Sequence, residues 1–110
     1  MDNKFTIKNF DKLAPLFEEK EGGNWIVAET ETQYTLIGDT GSSRGSVVIH
    51  RDCNILYNPI TFTPTYKIKV DVSLNGNTHR NSWDRDSFQS PEGVWGMWKI
   101  GLDEIYNIRK

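Results

Sequence analysis

The chain is nearly devoid of cysteine, with only Cys53 in 110 residues. One thiol cannot close an internal disulfide, and zinc frameworks built on four cysteines are excluded. Long apolar runs are also missing. No stretch approaches the ~20 apolar residues of a membrane-spanning helix. The opening MDNKFTIKNF lacks the apolar segment of a secretory signal. The expectation is a soluble, cytoplasmic protein without a membrane partner. An excess of positive charge is absent too. Thirteen Lys and Arg stand against fifteen Asp and Glu, a net charge of -2, and the pI is near 5.6. That balance gives no strong general attraction for nucleic acid or anionic lipid.

What remains is ordinary globular material: 36% hydrophobic and 25% charged residues. A chain of this length buries roughly two-thirds of its extended surface and needs no staple. It has no internal repeats, low-complexity tracts or linkers, so residues 1–110 read as one domain.

Residues 9–22 carry a helical stripe, with Phe10, Leu13, Ala14 and Phe17 at the spacing of one face. Asn9 or Asp11 is placed to cap it, and Gly22-Gly23 to end it. Pro15 belongs in the first turn or at a kink. Glu18, Glu19 and Glu21 crowd the C-terminal end, where the macrodipole disfavours them. From Gly23 the texture becomes β. The clearest strand is TYKIKVDVSL, with Tyr66, Ile68, Val70, Val72 and Leu74 on one face and Lys67, Lys69, Asp71 and Ser73 on the other. Asn75-Gly76 is a hairpin turn, and Pro59 and Pro64 confine their segment to an edge or a bulge. Residues 94–109 fit both periods. Their three glycines, at about 0.8–1 kcal/mol each in a helix, and their aromatic and β-branched content favour strand. The fold expected is α+β: an N-terminal helix packed on a curled antiparallel β-sheet or a small, partly open barrel.

The stretch GDTGSSRGS (residues 38–46) invites a nucleotide reading and fails it. A phosphate loop needs a lysine that is absent here, and a dinucleotide fingerprint needs a following helix where SVVIHRD reads as strand. It reads as a mobile surface loop with Arg44 as its tip charge. His50, Asp52 and Cys53 are close in sequence, but a strand points His50 and Cys53 to opposite faces. Neither a thiol nucleophile nor a metal site is expected there, and no cofactor is implied.

Thr78 to Pro91 reads as a long loop bearing His79, Arg80, Trp83, Asp84, Arg85, Asp86 and Phe88. Long loops often carry function, and Trp and Arg are enriched where binding energy concentrates. As strand residues, Trp95 and Trp98 point to opposite faces, which leaves Trp95 to form an exposed strip with Met97. The residues selected for partner binding are Arg80, Trp83, Arg85, Arg44 and Trp95.

These features point to a non-catalytic binding protein acting through protein–protein contacts. One alternative is a small-ligand module for a nucleotide, metabolite or glycan. A further alternative is a single-stranded nucleic-acid binder using Lys67, Lys69, His79, Arg80 and Arg85 beside aromatic rings, which the acidic pI disfavours. No catalytic constellation emerges, so an enzyme is not expected.

Overall fold

The computed structural model describes residues 4–85 and 89–109. A short 3-10 turn at Phe10–Lys12 leads into helix α1, Leu13–Glu21. Six strands follow: β1 Asn24–Glu29, β2 Gln33–Asp39, β3 Arg44–His50, β4 Asn54–Tyr57, β5 Pro64–Leu74 and β6 Asn77–Asp84. Helix α2, Pro91–Arg109, comes last. All strand pairs are antiparallel. β5 is long enough to pair with β3 along Val70–Leu74 and with β4 along Pro64–Lys67, both on the same edge, while β6 takes its other edge. β3 and β4 thus share one lane, interrupted at Arg51–Cys53, and the sheet stays open.

The expected α+β architecture is present. Both helices pack on one face of the sheet. Trp25, Leu36, Val47, Ile49, Ile68 and Val70 point into that face and are buried. They meet Leu13 and Phe17 of α1 and Val94, Met97, Trp98 and Ile105 of α2. The alternation expected for β5 is found, with Ile68, Val70 and Val72 inward and Lys69 exposed. Asn75 (φ 50°) and Gly76 (φ 89°) make the β5–β6 turn. Gly22 (φ 76°) and Gly23 (φ 78°) end α1, and Pro15 sits in its first turn. Asn9 takes a left-handed conformation and makes no side-chain cap.

Three expectations are corrected. Residues 94–109 lie in a helix. Ser90 Oγ accepts from Gly93 N at 3.0 Å, and Pro91 opens the first turn. The stripe through Val94, Met97, Trp98, Gly101 and Ile105 then buries enough apolar surface to outweigh glycine's poor propensity. Gly101 is needed for close packing, because a Cβ there would collide with Val72.

The long loop proposed from Thr78 is strand β6 as far as Asp84. Its sequence is too polar to read as a strand. The tight Asn75-Gly76 turn sets its register against β5, so the backbone ladder carries it. Asp86 and Phe88 lie outside the described residues.

The glycine loop shrinks as well. Gly38-Asp39 belongs to β2 and Arg44-Gly45-Ser46 to β3, which leaves a four-residue turn, Thr40–Ser43. Thr40 N donates to Ser43 O at 3.0 Å across it. Gly38 and Gly45 are cross-strand partners on the helix side. Together they make a flat floor for two indoles, Trp25 over Gly38 and Trp98 over Gly45, where a side chain would collide with either ring. Trp25 and Trp98 meet edge to face at 5.5 Å, and Phe17 packs 5.0 Å from Trp25. The carboxylate of Glu21 accepts from Trp98 Nε1 at 2.9 Å and Trp95 Nε1 at 3.0 Å, tying α1 to α2. That pairing accounts for an acidic residue at a helix C-terminus.

Candidate functional site

The residues singled out from sequence do not share a surface. Arg80 lies on the open face of the sheet and forks onto Asp71 with bonds of 2.6 and 2.9 Å. Trp83, three positions on, points to the helix side, where it is half-buried against the core. The guanidinium of Arg85 stacks 4.2 Å from the Tyr66 ring centroid. Arg44 is exposed at the far end of β3, 3.4 Å from Asp39. Trp95 lies in the helix layer, bonded to Glu21 with Lys20 and Lys99 beside its ring. Because α2 is a helix, Trp95 and Trp98 lie on adjoining sides of it and share one carboxylate.

Polar groups converge most closely on the open sheet face. Asp71 Oδ2 lies 3.1 Å from His50 Nε2, and both Asp71 oxygens receive Arg80. The bonds from Arg80 hold the Asp71 carboxyl below its usual range, with His50 adding to the effect. A shallow cavity of about 330 Å³ opens beside them, lined by Thr32, His50, Asp52, Asn54, Lys69 and Arg80. Lys69 and Arg80 are matched in formal charge there by Asp52 and Asp71. Cys53 is half-buried against the core, on the side away from His50. Among the described residues, no three His, Cys, Asp or Glu groups lie close enough to hold a metal ion.

The most unusual surface is one that sequence reading passed over. Beyond the Arg51–Cys53 interruption, β4 and the first half of β5 form a hairpin arm paired through Asn54↔Lys67, Ile55↔Tyr66, Leu56↔Thr65 and Tyr57↔Pro64. Asn58 organises its tip. Asn58 N donates to Thr63 O at 3.1 Å, and its Oδ1 accepts from Ile60 N at 2.9 Å. Phe62 is held left-handed at φ 57°, an uncommon conformation for a bulky residue. Ile55, Leu56, Tyr57, Ile60 and Phe62 are all exposed, Ile60 at 85% and Phe62 at 80%. Single exposed apolar residues are normal, but five on one short hairpin arm make it a candidate contact surface.

The signal for this arm was present in the sequence. Cys53 to Tyr66 is the longest stretch of the chain without Asp, Glu, Lys or Arg. Pro59 and Pro64 mark the same segment as an edge or a bulge without pointing to that absence. Arg85, stacked on Tyr66, is the sequence-selected residue that flanks the arm. Among the described residues, no helix is long and apolar enough to cross a membrane. Compared with known proteins, the chain matches no family model, no curated protein and no solved structure.

Proposed function

We propose that this chain is a non-catalytic binding protein that works through protein–protein contacts, with the β4–β5 arm as its contact surface. The observation that carries the reading is the exposure of Ile55, Leu56, Tyr57, Ile60 and Phe62 on one uncharged projection. Covering apolar surface contributes about 25 cal/mol per Å². Two aromatic side chains with few rotors to freeze add to that at low entropic cost. A strained, exposed Phe62 fits the same role, since backbone strain of about 1–3 kcal/mol tends to collect at binding sites. A cytoplasmic location accompanies this reading, supported by the single cysteine, which suits a reducing compartment.

The test compares wild type with the double variant Ile60→Asp, Phe62→Asp. Both side chains are exposed, so the melting temperature should hold. Binding partners captured by crosslinking in native extract should be lost from the variant. Unchanged capture would remove the arm as the contact surface and return attention to Arg44 and Trp95.

A further inference from the structure

We infer that the partner of the arm is a second copy of this chain, joined through the outer edge of β4. The inference rests on the arm being a contact surface and adds what occupies it.

Hydrogen-bond parity identifies what the edge offers. Asn58 N bonds Thr63 O inside the arm. Bonded and non-bonded pairs alternate along an antiparallel ladder. Asn54↔Lys67 and Leu56↔Thr65 are therefore the pairs that exchange bonds with β5, and Ile55↔Tyr66 and Tyr57↔Pro64 are not. Two facts agree. Pro64 has no N–H to give, and Tyr66 O accepts instead from Arg85 N on its other side, at 2.9 Å. The N–H and C=O groups of Ile55 and Tyr57 thus point off the sheet, and no described residue partners them. An edge of this kind is a template for another strand.

A twofold centred on Leu56 uses all of these groups. It sets Ile55 of each copy opposite Tyr57 of the other, where both peptide groups exchange bonds, giving four across the seam. Leu56 meets its own counterpart at the closer, non-bonded position. Side-chain faces match as well. Ile55 and Tyr57 share the helix side with Tyr66, and Leu56 lies on the open face. The same register lays each tip, with Ile60 and Phe62, beside the Arg51–Cys53 interruption of the other copy.

Charge places no obstacle before a second copy, and the self-complementary register of β4 favours it over other occupants. A twofold brings a segment against itself, so any charge near the axis meets its own sign. From Cys53 to Tyr66 there is none. The five exposed side chains offer several hundred Å² per copy, on the order of the ~800 Å² of a standard interface. A lipid surface would cover the side chains but leave the outward N–H and C=O groups of β4 without partners.

The test is sedimentation equilibrium across a wide concentration range, with amide hydrogen exchange read residue by residue. A dimer is expected for wild type. Exchange at the Ile55 and Tyr57 amides should slow at least about tenfold from dilute to concentrated protein. The Leu56 amide, bonded within the arm, should not respond. Leu56→Lys should be a monomer with unchanged tryptophan fluorescence and melting temperature. A wild-type monomer at all concentrations overturns the inference, as does a dimer that survives Leu56→Lys or leaves the Ile55 and Tyr57 amides unchanged. A monomer that loses a different captured protein on Ile60→Asp, Phe62→Asp overturns only the second copy and leaves the arm as the contact surface. A monomer that binds neutral phospholipid vesicles and loses that binding on Phe62→Asp overturns both.

Discussion

Gly45 lies beneath the Trp98 indole with no room for a side chain, since a Cβ there would approach the ring closer than 3.0 Å. The glycine therefore sets how near α2 sits to the sheet. Gly45→Val should force the helix outward and cost about 1–3 kcal/mol, the usual range for overpacking. A lowered denaturant midpoint with a changed tryptophan emission spectrum is the expected result. Gly96, which has nothing within 4 Å of a Cβ and no positive φ, serves as the control position for crowding.

Glu21 holds two indoles with one carboxylate. Glu21→Ala leaves both N–H groups without their acceptor and should cost about 1.5–3 kcal/mol, the range for bonds to a charged group. Glu21→Gln keeps one carbonyl acceptor and should fall between the two. Urea unfolding of the three proteins orders them.

Trp83 packs half-buried against the core from the helix side of β6. Trp83→Ala should lower stability by about 2 kcal/mol, less than the 3–5 kcal/mol of a fully buried tryptophan. That corresponds to several degrees in melting temperature. Calorimetry separates this structural role from one in binding, which would leave the melting temperature unchanged.

Asp71 gives the fold an acid dependence of known sign. The bonds from Arg80 lower its pKa in the folded state, so between that value and the unfolded value of about 3.9 the unfolded chain binds more protons. The contribution is full above about pH 4 and is lost as pH falls through the lowered pKa. Arg80→Gln should return Asp71 towards its ordinary value and move the acid-unfolding midpoint to higher pH. Circular dichroism followed from pH 6 downwards checks the direction. Once Asp71→Asn is in place, adding Arg80→Gln should no longer move the midpoint.

Where one period dominated, the sequence could be read directly. Ile68, Val70 and Val72 alternate cleanly, and β5 follows. Phe10, Leu13, Ala14 and Phe17 mark the first helix, with Leu13 and Phe17 buried. It misled where tertiary contact overrode local preference. Gly96 and Gly101 argue against a helix on propensity, yet Gly101 is what lets α2 lie on Val72. Gly38 and Gly45 resembled loop glycines because their neighbours Asp39, Thr40 and Ser42 are turn formers. Their role depends on the indoles above them, Trp25 for Gly38 and Trp98 for Gly45, neither of which is a sequence neighbour. The arm is hard to read for a different reason: its mark is a run of 14 residues without charge, which matches no motif.

The bond between Glu21 and Trp98 spans 77 residues, whereas each successive strand, apart from the β3–β4 pair in one lane, folds back on the strand before it. Short loops close cheaply and long ones do not. The strand meander is thus the part expected to assemble early, with the clasp between the helices expected to close over it afterwards. Weakening that clasp should leave the refolding rate nearly constant and quicken unfolding, so Glu21 governs how long the folded protein lasts more than how fast it forms.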